Sequence, residues 1–168
     1  CTTTSRPSRR ARRACGAARG GALVDPMCGT GTLPLEAAWI AGDCAPGLLR
    51  DYFGFSHWLG HVPRLWERLR DEAKTRRAAG RERVPAIIGG DADPQAVRQA
   101  QANAKRAGLV DVVRFVHREL TASERPAGPT GLLVANPPYG HRLGEMAQVG
   151  ELYAELGGVL KRVFHGWK

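Results

Sequence analysis

The sequence predicts an α/β domain, an open and mostly parallel sheet with helices between its strands. Three observations predict it. Short apolar runs alternate with helix-length segments, the connections are short and carry glycine or proline, and each run is followed within a few residues by a polar side chain. Right-handed crossovers then bring the carboxyl ends of the strands to one edge of the sheet. Ligands of such sheets lie just beyond that edge, where the strand order reverses.

The first run, Gly21-Ala22-Leu23-Val24, ends at Asp25 and is followed by Pro26-Met27-Cys28-Gly29-Thr30-Gly31-Thr32. A helix over Leu33–Ala41 comes next, with Leu33, Ala37 and Ile40 expected on its inward face. A strand, a glycine turn and a helix are what a nucleotide-type cofactor needs. Glycines let the backbone approach the ligand, and the helix start offers unpaired N–H groups. The spacing is not the dinucleotide pattern G-x-G-x-x-G, since no third glycine follows, nor a P-loop, since no Lys follows Gly31. Residues 42–62 read as a loop-rich insertion whose aromatic residues, Tyr52, Phe53, Phe55 and Trp58, are expected to form a satellite core over the sheet; a base-stacking surface is the alternative. His57 and His61 are spaced like metal ligands on a helix, but no third ligand accompanies them and no metal site is expected. Pro63 to about Ala79 reads as a charged helix with Leu65, Leu69 and Ala73 inward.

The second strand, Pro85 to Asp91, also ends on an acid. A carboxylate there can accept both hydroxyls of a ribose, or serve only as a turn residue. Asp93 and Pro94 are an N-cap and an N1 proline, opening a helix through Ala107 that Gly108 closes. Ala96, Val97, Ala100 and Ala104 are expected to face the sheet. Val112–Val116 is the third strand, with Glu119 beyond it, either accepting from an adenine amino group or simply solvated. A Pro/Gly loop over residues 121–131 leads to a short buried strand, Leu132–Ala135, and then to Asn136-Pro137-Pro138-Tyr139-Gly140. The two prolines stop the strand and remove two donors while leaving their carbonyls as acceptors. The corner suits a planar, amine-bearing ring; the plain alternative is a proline-stiffened loop. A last helix, Glu145 to about Phe164, carries the stripe Leu152, Leu156, Val159, Leu160 and Val163.

The 168 residues suit one folded unit, with a net charge of +9 that is unevenly spread. Arg6, Arg9, Arg10, Arg12, Arg13 and Arg19 supply two thirds of it from a stretch without acids. Residues 1–20 therefore read as a basic, disordered segment, able to hold RNA phosphates or merely solvated, ahead of a domain over 21–168. Cys1, Cys15, Cys28 and Cys44 show no framework spacing and read as reduced thiols of a cytoplasmic protein. No apolar run approaches the ~18 residues of a membrane span. A first residue that is not Met suggests a fragment of a longer chain.

With these residues in view the chain resembles a known family. Asp25-Pro-Met-Cys-Gly-Thr-Gly-Thr32, then Asp91, then Asn136-Pro-Pro-Tyr139 resembles S-adenosylmethionine-dependent amino-methyltransferases, adenine-N6 and guanine-N2 enzymes alike. The fuller wording, DPMCGTGTLPLEAAWIAGDCAPGL, DYFGFSHW and NPPYGHRLGE, is similar to the bacterial 23S ribosomal RNA guanine-N2 methyltransferases that carry a THUMP domain, over roughly residues 22–168. The resemblance implies a Rossmann-like methyltransferase fold, S-adenosylmethionine as cofactor and large-subunit ribosomal RNA as partner. It implies that Asp25, Pro26, Cys28, Gly29, Gly31 and Thr32 hold the methionine part, that Asp91 holds the ribose, and that Glu119 lies at the adenine. Asn136 and the Pro137 carbonyl would accept from the target amine, with Tyr139 stacked on its base. The family's fold continues beyond a fourth strand, so the chain reads as truncated there, with that strand left as an exposed edge.

Overall fold

The computed structural model describes residues 20–138 and 146–168, with side chains in the second stretch from residue 149 onward. Four parallel strands form one sheet: β1 Leu23–Asp25, β2 Ile87–Asp91, β3 Val113–His117 and β4 Leu132–Leu133, in the order β3-β2-β1-β4. Leu23 stands opposite Ile87 on one side and Leu132 on the other, and Ile87 stands opposite Val113. The chain moves outward from β1 through β2 to β3, then returns to the opposite side of β1, so the order reverses between β1 and β4.

The period of two along a strand decides which helix covers which face. Leu23 belongs to a core with helix α1 (Thr32–Ala41), helix α3 (Pro94–Ala107) and Phe115, whereas its neighbour Val24 belongs to a second core with Leu120, Val159 and Phe164 of the C-terminal segment. Helix α4, Met146–Arg162, supplies Val159 to that second layer. Helix α3 is framed as its sequence requires. Asp93 Oδ1 accepts from the Gln95 N–H at 2.7 Å, and Gly108 closes the helix at φ +67°.

Inward faces were harder to read than helix positions. Helix α1 buries Pro34, Leu35, Ala37 and Ala38, while Leu33 is exposed and Ile40 only half-buried. Its sequence, TLPLEAAWIA, is apolar nearly all round, so no stripe marks the contact side. On helix α2, Pro63–Arg81, Leu65 and Leu69 are exposed rather than inward. Close backbone approach sets that helix's position: a Cβ at Gly80 would lie 1.9 Å from the Gly42 carbonyl oxygen. The aromatic residues of the insertion pack on α2, not over the sheet. Phe53 and Phe55 meet the Trp66 ring edge-on at 4.8 and 5.0 Å, leaving Tyr52 and Trp58 largely exposed. On α4, Leu160 faces out.

Strand β4 is shorter and less buried than expected, two half-buried residues followed by one further bond from the Val134 N–H to the Val24 carbonyl at 2.9 Å. Its outer edge is not bare. The Leu133 N–H donates to the Lys168 carbonyl at 2.8 Å, and the Lys168 N–H donates to Gly131 at 3.2 Å. Bonds from one residue to two partners spaced this way are the slanted pattern of a parallel ladder.

Candidate functional site

All four strands point the same way, so the turn after β1, Asp91 at the end of β2, Glu119 after β3 and Asn136 after β4 lie toward one edge. The turn is held closely. The Cys28 N–H donates to the Gly90 carbonyl and the Gly31 N–H to the Cys28 carbonyl, both at 2.8 Å. Gly29 and Gly31 take φ of +52° and +85°, a region that costs other residues dearly. Around them the space differs. A Cβ at Gly31 would lie 2.6 Å from the Phe115 ring, whereas a Cβ at Gly29 meets nothing within 4 Å. Phe115 is thus the floor of the turn, and Gly29 faces open space on its other side.

Asp91 connects the turn to the second strand. Its Oδ2 accepts from the Gly29 N–H at 2.8 Å and its Oδ1 from the Asp93 N–H at 2.9 Å. Each carboxylate oxygen keeps a further lone pair, enough to accept a hydroxyl. Asp25 is only 1% exposed. Burial, opposed by the Met27 N–H bond at 3.2 Å and assisted by the nearby Asp91 charge, raises its carboxyl to about 6. The Cys28 thiol is packed in the core, and burial, with the Asp25 and Asp91 charges adding, pushes it up to about 12. A thiol so buried and so reluctant to ionise is no nucleophile, and its contribution to the turn is packing. Pro26 is buried, and Thr32 opens α1 on the exposed side. With glycine as N-cap the helix has no side-chain cap, and the Thr32 and Leu33 N–H groups have no acceptor among the described residues.

On the other side of the order reversal, Asn136 is exposed and Pro137 half-buried. Tyr139 lies outside the described residues. Glu119 is exposed at the head of a single 3₁₀ turn, Leu120–Ala122, at the far end of the sheet from Asn136. His57 and His61 go into the aromatic cluster, against Tyr52 and Phe55 at 5.7 and 5.6 Å. Among the described residues no three His, Cys, Asp or Glu side chains gather as a metal would require. No helix there is long and apolar enough to cross a membrane.

Two contributors had weak or no sequence signal. The Gly89-Gly90 pair inside β2 was a hint of close approach, and a Cβ at Gly89 would indeed lie 2.6 Å from Phe115 and 3.0 Å from Cys28 Cβ. Asn103 of α3 had no local signal at all, yet its Nδ2 donates to the Thr30 carbonyl at 2.8 Å.

A glycine turn after the central strand, an acid closing the neighbouring strand and a free helix start at the order reversal define a protein built to bind a nucleoside-type cofactor. Residues 11–168 match the family described as UPF0020, RMKL-like, methyltransferase domain, and the chain belongs to that family. It is 53% identical over 154 residues to the Ribosomal RNA large subunit methyltransferase K/L of Syntrophotalea carbinolica, covering 90% of this chain but 22% of the relative's length. Among solved structures, SMU.472, a candidate methyltransferase complexed with SAH, superposes with a TM-score of 0.79 at 37% identity, covering 88% of this chain and 38% of that one. A predicted N6-adenine-specific DNA methylase from Listeria monocytogenes gives 0.78 at 34%, covering 96% and 43%.

Proposed function

We propose that this domain transfers a methyl group from S-adenosylmethionine to the exocyclic N2 amine of a guanine in large-subunit ribosomal RNA. One observation carries the reading. The strand order sets the Gly29–Gly31 turn after β1 and the Asn136-Pro-Pro corner after β4, the two neighbouring strands between which the order reverses. The names of the ribosomal RNA methyltransferase relatives favour large-subunit RNA as substrate over the DNA named for the Listeria structure.

The residues present fit the cofactor. Gly29 leaves open space for a ligand to approach the backbone, the Thr32 and Leu33 N–H groups are unclaimed, and Asp91 has acceptor capacity for a ribose. The bound cofactor would supply an electrophilic sulfonium methyl. The turn with Asp25, Pro26, Cys28 and Thr32 would hold its methionine part, and Glu119 its adenine. Asn136 and the Pro137 carbonyl would accept the two N–H bonds of the target amine. That amine's lone pair is delocalised into the ring, so acceptors that fix its orientation aid attack without a strong base. Tyr139 would stack on the base, which must be unpaired or flipped out to reach the corner. The arginines of residues 1–20 would add salt-sensitive contacts to phosphate. In this role the protein works in the cytoplasm.

The test is labelled methyl transfer to unmodified large-subunit RNA, followed by nucleoside analysis. N2-methylguanosine is expected, and Asn136→Ala should lower the rate by roughly 10²-fold or more while cofactor binding persists. Methyladenosine as product, or unchanged transfer by Asn136→Ala, overturns the reading.

A further inference from the structure

Resting on the cofactor reading above, we infer that Asn103 is a positioning residue for the cofactor, acting through the Thr30–Gly31 peptide. The carbonyl of this peptide accepts from Asn103 Nδ2 at 2.8 Å, and its N–H donates to the Cys28 carbonyl at 2.8 Å. Flipping this peptide plane would break both bonds. Gly31, at φ +85°, gives the turn freedom to do so, and these two bonds oppose it. The plane decides where the next N–H groups point, and Thr32 and Leu33, the two without acceptors, follow directly.

The orientation of the Asn103 amide is fixed by chemistry rather than by shape. Its Oδ1 accepts from Arg106 Nη2 and from Gln99 Nε2, the latter at 3.4 Å. A guanidinium offers only donors and a backbone carbonyl only acceptors, so the amide must turn its oxygen to Arg106 and its nitrogen to Thr30. Arg106, Asn103 and Thr30 thus form a relay from the outer surface of α3 to the cofactor turn. The charge at one end strengthens the donor at the other. Phe115 supports the same turn from below, but it supplies packing only and cannot set the peptide plane.

The experiment measures SAH affinity, methyl-transfer kinetics and thermal stability in the full chain. Asn103→Asp keeps size and shape, retains the Arg106 contact and replaces the donor by an acceptor facing the Thr30 oxygen. It should weaken SAH binding by about tenfold or more and raise the KM for the methyl donor equally, with kcat at saturation and melting temperature little changed. Asn103→Ala should do the same more mildly, and Arg106→Ala, remote from the turn, should give a few-fold weakening. Should Asn103→Ala unfold the chain, the Asp and Arg106 variants carry the test. Wild-type affinity in Asn103→Asp overturns the inference, as does a loss of affinity that merely tracks lost stability. Failure of the unsubstituted protein to bind SAH strikes the cofactor reading itself and the inference with it.

Discussion

The two halves of the site are built differently. The turn after β1 is tied to β2 through Gly90 and Asp91, to α3 through Asn103 and to β3 through the Phe115 ring. The Asn136 corner follows a strand of two half-buried residues, anchored through Val24 and the Lys168 backbone. The glycine turn, the proposed methyl-donor side, is thus cross-braced, while the Asn136 corner, the proposed acceptor side, depends on how β4 meets β1. A donor site that must hold one fixed shape gains from rigidity. Under the proposed function the acceptor corner would receive a base leaving its stack, and it can accommodate movement.

Substitutions that probe each half should separate them. The largest effect is expected at Gly131, where a Cβ would lie 1.8 Å from the Ala22 carbonyl oxygen; backbone cannot yield as a side chain does. Gly131→Ala should cost more than about 3 kcal/mol in denaturant unfolding and detach the Asn136 corner first. Next is Asp25→Asn. Burial raises the folded carboxyl to about 6, above its ordinary 3.8, so the folded state holds its proton longer. Its contribution is complete below pH 4 and lost as pH rises through 6. Asparagine, which mimics the neutral acid, should therefore stabilise by about 2–3 kcal/mol at pH 8 and give no gain below pH 4. A gain that grew with acidity would contradict the buried, neutral-favouring site.

Gly89→Ala should cost about 1–3 kcal/mol, because its Cβ would meet the Phe115 ring, and Phe115→Leu should recover part of that loss. If Gly131→Ala proves as mild as Gly89→Ala, the contrast between a braced turn and a backbone-limited join fails. The smallest effect is expected of Asp93→Ala. Losing the cap of α3 should cost about 1 kcal/mol and loosen the turn through Asn103.

What the sequence revealed, and what it hid, follows from the range of the interactions. The strands were legible because β1, β2 and β4 are short apolar runs stopped at Asp25, Asp91 and the Asn136-Pro137 corner while β3 alternates, and α3 because Asp93, Pro94 and Gly108 act on their own neighbours. The positions of Asp25, Gly29, Asp91 and Asn136 near one edge followed from the alternation of elements. The inward faces of α1 and α2 did not, since one is apolar all round and the other is set by Gly80 against Gly42. The leucine spacing of α2 suggested a stripe, whereas the packing hub is Trp66. Asn103 escaped notice because its partner lies 73 residues away and nothing near it in sequence marks a clamp.

The central position of β1 has a kinetic consequence. Leu23 must find Ile87 on one side and Leu132 on the other, both far along the chain, while β2, α3 and β3 are neighbours in sequence. Loop closure makes distant pairing slow, so the β2–α3–β3 unit should assemble first and β1 should insert against it later. During synthesis β1 emerges before either partner and waits with both edges bare. Pulse-labelled hydrogen exchange during refolding should accordingly protect the amides of Gly89 and Val116, which belong to the paired stretch of β2 and β3, before that of Val24. The Gly29–Gly31 turn would then be among the last parts of the molecule to take shape.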